Sequence, residues 1–264
     1  MNLQKDLLEI IRLRNPNEKV SLTAQLHEAV NEQASLDFFP QEAIAVDHPG
    51  LPESIELVRP KQLQRRSMQS QQGRSVLMHA IAHIEFNAIN LALDAAYRFS
   101  GMPEQFYRDW IFVAADEARH FSMIREYLLS HGSDYGDFPA HNGLWDMAVK
   151  TAHDVLPRMA LVPRVMEARG LDVTPAMIGK LERAGDAEAV AILETIFKEE
   201  IEHVRIGSHW YRFVCESRGL DPDSTFFQLV DKYFAGELRG PFNLEARRLS
   251  GFGEMELERL GHAV

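Results

Sequence analysis

Glu117 and His120 stand three residues apart in the string Asp116-Glu117-Ala118-Arg119-His120, and Glu200 and His203 repeat that spacing. On a helix, side chains three apart leave the same face about one turn from each other. A carboxylate and an imidazole placed this way can bind one metal ion together. Each pair is preceded by a single glutamate at nearly the same distance: Glu85 lies 32 residues before Glu117, and Glu167 lies 33 before Glu200. Two helices each giving Glu-x-x-His and two others each giving one Glu make up the ligand set of a carboxylate-bridged pair of metal ions. With 24 Glu and 11 His in the chain, chance alone supplies the Glu-x-x-His spacing now and then. The matched registers therefore carry the expectation, more than the two motifs do.

The expected metal ligands are Glu85, Glu117, His120, Glu167, Glu200 and His203. Hard oxygen plus imidazole suits two Fe ions first, with Mn as the alternative, rather than a thiolate-seeking metal. Such a centre has open positions for dioxygen, peroxide or water. Asp116 lies four residues before His120, and Glu199 four before His203. Each could accept a hydrogen bond from a ligand histidine and so fix its ring. Arg119 could pair with such a carboxylate and hold it ionised. Ordinary helix salt bridges would explain these three residues equally well.

Four helices must position the ligands. The run Arg74 to Phe99 places Leu77, Ile81, Ile84, Ala88, Leu91 and Ala95 on one apolar stripe, with Glu85 beside it. His83 falls on a different side of that helix from Glu85 and reads as structural. Gly101-Met102-Pro103 ends the first helix and opens the second, Pro103 to Ser130, which His131-Gly132 stops. The third, Gly143 to Arg169, contains Pro157 and Pro163, so it must kink or restart. Its Glu167 sits near the end implied by Gly170, and residues 171 to 185 read as a connection with a short helix opening at Thr174-Pro175. Asp146 and Asp154 are rival carboxylates in this segment, but neither keeps the register. The fourth helix runs from Asp186 to about Arg218, where Gly219 and Pro222 stop it.

The flanks are helical too. Residues 1 to 35 read as two amphipathic helices broken at Asn15-Pro16-Asn17, with Ser21 the expected N-cap of the second. Prolines at 40, 49, 52 and 60 mark a long irregular connection. Beyond the bundle, a helix over about 223 to 235 and another over Leu244 to Leu249, capped by Asn243, are expected. No run of strands appears. The organisation is thus all-α: an N-terminal helical arm and connection over 1–60, a four-helix bundle over 61–220 and a C-terminal helical extension over 221–264.

Composition excludes several classes. Cys215 is the single cysteine, so no internal disulfide, zinc ribbon or Cys-x-x-Cys metal site can form, and a reducing cytoplasm is expected. No apolar run approaches the ~20 residues that span a bilayer, and the acidic N-terminus is unlike a secretory signal. A formal net charge of -11 argues against indiscriminate nucleic-acid binding. Locally, no acid falls between Leu57 and Ile84, whereas Arg59, Lys61, Arg65, Arg66 and Arg74 all carry positive charge. A solvated surface is the simpler explanation of that stretch, and a phosphate-contacting surface the other.

The whole pattern resembles the ferritin-like superfamily, and the Asp-Glu-Ala-Arg-His string is similar to the motif of its dioxygen-activating members. The strings at 79–87, His-Ala-Ile-Ala-His-Ile-Glu-Phe-Asn, and at 241–247, Pro-Phe-Asn-Leu-Glu-Ala-Arg, resemble an uncharacterised bacterial ferritin-like family. That family is similar, at the level of the bundle, to the tRNA hydroxylase MiaE. The resemblance implies a ferritin-like four-helix bundle in which the loop Gly132 to Gly143 is the crossover between helix pairs. It implies a non-haem di-iron or Mn/Fe oxygenase or hydroxylase acting on a small molecule, with an electron donor that the sequence does not identify. A tRNA substrate is the less favoured version. Ile124 stands where the ribonucleotide reductase small subunit has its radical tyrosine, which argues against that role. Two alternatives stay open: a peroxide-scavenging or ferroxidase protein, and a metal-stabilised structural or partner-binding protein. A homo-oligomer is compatible with all of these, and no membrane partner is expected.

Overall fold

In the computed structural model, which describes residues 2–36, 43–63, 67–234 and 238–262, every regular element among the described residues is helical. The fold is all-α. Pro40 of the irregular connection, Arg65 and Arg66 of the basic stretch, and residue 235 lie outside the described residues. The chain divides into two compact units, Met1–Val149 and Lys150–Val264.

The first unit opens with α1 (Leu3–Arg12) and α2 (Pro16–Glu32). The second of these starts six residues earlier than a Ser21 cap would allow. Asn15 is the N-cap: its side-chain oxygen accepts from Asn17 N and Glu18 N, and Pro16 occupies the first helical position, where no donor is needed. Lys19 on α2 is fully buried. Its ammonium donates to the Ile11 carbonyl of α1 and to Asn90 Oδ1, and lies 5.0 Å from the Phe86 ring centre. One cation thereby ties α1 and α2 to α3 (Gln71–Arg98), and burial depresses its pKa well below the usual lysine range. Between α2 and α3 the described backbone is irregular, apart from a short 3₁₀ turn at Pro60–Gln62 and an isolated bridge from Leu57 to Ala140.

Long and apolar, α3 has the length and composition to cross a membrane, although polar residues interrupt every contiguous apolar run. Within its most apolar window, 78% is buried inside the structure. It is accordingly the central helix of this unit, packed along α4 (Glu104–Ser130) and α1. Gly101, at φ 81°, makes the turn between α3 and α4 in a conformation that glycine adopts without steric penalty. A short α5 (Gly143–Lys150) follows the loop after α4.

In the second unit the third expected helix restarts after α5. Asp154 caps α6 (Val155–Leu161) by accepting from Leu156 N, and Pro157 sits in its first turn. A π-helical segment, Val162–Glu167, then leads without a break into α7 (Ala168–Arg183). This corrects the expected stop at Gly170 and the connection over 171–185: both Gly170 and Pro175 lie inside α7. The helix survives Pro175 because the carbonyl of Leu171, which loses its donor four residues on, accepts instead from Asn243 Nδ2 at 3.3 Å. The remaining elements are α8 (Ala187–Ser217), α9 (Pro222–Tyr233), α10 (Leu244–Leu249, capped by Asn243) and α11 (Glu254–His262). The last was not foreseen.

Candidate metal centre

In the first unit, α3 and α4 form an antiparallel hairpin, so residues equally distant from its turn lie level. Glu85 and Glu117 are each sixteen residues from Gly101. The 32-residue spacing is therefore the spacing that brings two carboxylates to one height. His120 Nδ1 lies 3.4 Å from Glu85 Oε2 and 3.4 Å from Glu117 Oε2, and all three side chains are buried. Burial raises the Glu85 carboxyl well above the usual range, the neighbouring Glu117 charge adds to this, and His120 opposes it. Burial alone would lower His120, but its contacts with Glu117 and Glu85, and their charge, outweigh burial and raise it. Two carboxylates in a low-dielectric site favour an added positive charge, from a proton or a cation. Glu117 and His120 belong to a buried Glu/His group that can hold a metal ion.

Aromatic rings follow two of these residues in the chain and pack together. Phe86 and Phe121, the neighbours of Glu85 and His120, have centroids 5.0 Å apart, and Tyr135 lies 5.1 Å from each. Tyr135 comes from the loop after α4 and meets His83 Nδ1 at 2.9 Å, and His83 Nε2 lies 3.2 Å from the His141 carbonyl. Gly136 N donates to His79 Nε2 at 2.9 Å. The two histidines thus fasten this loop to α3, and burial lowers each of them to about 4. Asp116, half-buried, accepts from Arg119 Nη2 at 2.6 Å, and one of its oxygens lies within 4.8 Å of a His120 ring nitrogen.

In the second unit, Gly185 at φ 74° turns α7 into α8. Glu167 and His203 are each eighteen residues from that turn and so lie level along the hairpin. A close contact fixes the same register one turn further out. A Cβ on Gly207 would lie 2.3 Å from Pro163 Cβ, so only glycine admits the proline ring there. His203 is buried, and its Nδ1 lies 3.3 Å from Glu200 Oε1. Glu199 is half-buried, four residues before His203. Glu167 ends the π-helical segment with its Oε2 shielded from solvent. The rival carboxylates are engaged elsewhere: Asp154 caps α6 and pairs with Arg218 at 2.7 Å, and Asp146 is exposed and accepts from Asn142.

Sequence reasoning missed a set of buried charged residues on both sides of Glu167 in the chain. Arg164, Asp172, Arg247 and Glu256 are all buried, and Arg164 pairs with Glu256 while Arg247 pairs with Asp172. Pro163 and Pro175 were the available signal, since each must leave a helix carbonyl that something else satisfies.

A protein of Haemophilus influenzae titled "Uncharacterized protein" is 44% identical over 262 residues, covering 94% of this chain and 90% of its own. No solved structure matches significantly. The family model described as "Protein of unknown function (DUF455)" matches residues 12–258, nearly the whole chain, and the protein belongs to that family.

Proposed function

We propose that this protein is a ferritin-like, non-haem dimetal oxidoreductase, with Glu85, Glu117, His120, Glu167, Glu200 and His203 together holding two metal ions. The observation that carries this reading is the buried contact of Glu85 and Glu117 with one imidazole, each at 3.4 Å. Two carboxylates and a histidine removed from water are costly unless a cation balances them. The donor set fits Fe or Mn. When bound, such ions would supply redox chemistry toward dioxygen or peroxide.

The chain's own contributions follow from its geometry. Glu85 and Glu117, level on one hairpin, provide negative charge that gathers divalent cations. Phe86 and Phe121, next in the chain to Glu85 and His120, pack with Tyr135 into one buried aromatic group. Asp116 and Glu199, one turn before the histidines, would accept a hydrogen bond from a ring N–H and hold the other ring nitrogen toward a metal. Arg119 pairs with Asp116 at 2.6 Å. An oxygenase or hydroxylase of a small molecule is the activity this supports best.

The test is metal stoichiometry and oxygen uptake in protein purified from its native host. Glu117→Ala and His203→Ala should each lose at least half of the bound metal. If both retain the wild-type complement, the ligand assignment is wrong. If metal removal lowers the melting temperature but wild-type protein consumes neither oxygen nor peroxide, the metals are structural and the oxidoreductase reading fails.

A further inference from the structure

Glu167 sits at the end of a π-helical segment, where the N–H of Ala168 bonds back to the Pro163 carbonyl five residues earlier. A π turn inserts one residue into the helix and swings everything beyond it around the axis. The direction of Glu167 therefore depends on holding that turn, and Pro163 weakens the helix there by removing a donor.

The C-terminal residues grip both flanks of the turn. Three residues before Glu167, Arg164 is fully buried, and its Nη2 donates to Glu256 at 2.8 and 2.7 Å. Its Nε donates to Ser208 Oγ at 3.1 Å, and its guanidinium lies 4.4–4.5 Å from the ring centres of Tyr211, Phe226 and Phe252. Glu256 is held in turn by Gly253 N at 2.7 Å. Five residues after Glu167, Asp172 accepts from Arg247 Nε at 2.9 Å and Nη2 at 2.7 Å, and from Asn243 N at 2.9 Å. Arg247 Nη2 also reaches the carbonyl of Ala168, the residue next to Glu167, at 3.5 Å. The Asn243 side chain satisfies the carbonyl that Pro175 leaves open. The string Pro241 to Arg247, prominent in the sequence and used by no ligand, is accounted for by these bonds.

We infer that the C-terminal segment from Pro241 to Leu257 is a clamp that orients Glu167 toward metal, with Asp172–Arg247 and Arg164–Glu256 as its two positioning pairs. Buried ion pairs are poor devices for stability alone, since apolar replacements of similar volume are often as stable or more so. What such pairs supply is fixed direction: Arg247 meets Asp172 through two nitrogens in the fork geometry, and Arg164 is fixed by Nη2 on both Glu256 oxygens together with Nε on Ser208. Two of them bracket a single carboxylate in a backbone turn that would otherwise relax. The inference rests on the reading of Glu167 as a metal ligand.

The experiment uses full-length metal-free protein and titrates Mn(II) alone under anaerobic conditions, following bound ion by electron paramagnetic resonance. Asp172→Asn and Glu256→Gln keep shape and remove charge. Each should weaken the Glu167-dependent binding step by roughly 10–100-fold, as loss of a group that orients a ligand does. In a Glu167→Ala background neither change should weaken binding further. Should the single variants fail to fold, the paired apolar replacement Asp172→Leu with Arg247→Met keeps the core filled. It should retain the wild-type melting temperature yet show the same loss of Mn(II). Unchanged affinity in the charge-removed or paired variants, or losses that persist in the Glu167→Ala background, would overturn the clamp and leave Glu167 a ligand. If Glu167→Ala binds Mn(II) as wild type does, the ligand assignment fails and the clamp fails with it.

Discussion

Gly207→Ala tests the register that sets Glu167 level with His203. Away from tertiary contacts, the change should stabilise a helix interior by about 1 kcal/mol, because alanine loses less backbone entropy than glycine. The packing predicts the opposite sign. The new methyl would stand 2.3 Å from Pro163 Cβ and 2.4 Å from Cγ. Carbon atoms at their best separation are roughly 3.5–4.0 Å apart, so the two helices must part by more than 1 Å. A proline ring cannot rotate away, which puts the cost at the upper end of the ~1–3 kcal/mol range for overpacking. The net expectation is destabilisation by about 1–2 kcal/mol, or a fall in melting temperature of about 2–8 °C for a chain of this size. Gly170→Ala is the matched control: it lies in α7 with nothing within 4 Å of a new Cβ, and should stabilise. Urea and thermal unfolding of both metal-free variants measure the contrast. If Gly207→Ala is as stabilising as Gly170→Ala, α8 does not approach Pro163 closely, and the level placement of Glu167 with His203 loses its support.

Asp116→Ala should leave most metal bound while lowering affinity roughly 10–100-fold, measured by equilibrium titration. Affinity equal to wild type would reduce Asp116 to a surface partner of Arg119. His79 should cost the metal-free protein stability as pH drops from about 6.5 toward about 4, because burial holds it neutral in the folded state while its unfolded counterpart takes up a proton. His83 acts in the same direction, and Glu85, raised by burial, in the opposite one. The sign follows from linkage: at His79 the unfolded chain binds more protons in that window, so its contribution to stability rises with pH. His79→Gln should flatten the dependence by at most about 3 kcal/mol, read from urea midpoints across the window; an unchanged slope would exclude His79 as its source.

Much of this protein was legible in the chain itself. The Glu-x-x-His pairs and the single glutamates could be found because helix geometry is local: three-residue spacing puts both groups on one face whatever surrounds them. The 32-residue interval had a meaning beyond pattern, since a short turn at Gly101 makes residues equidistant from it level, and the observed contact of Glu85 with His120 follows. The turns and the Asn243 cap were likewise set by short-range chemistry. The second half was less readable. Two prolines and Gly170 argued for a stop, and no local rule could show that the helix would continue. Tertiary structure decided that, because the Leu171 carbonyl freed by Pro175 finds Asn243, 72 residues away. The π turn was hidden for the same reason: it shifts the helical period mid-segment, so periodicity counted from α6 does not carry through to Glu167. Only the folded chain shows that Arg164 and Asp172 are gripped from the C-terminus, because their partners Glu256 and Arg247 lie 92 and 75 residues away in sequence.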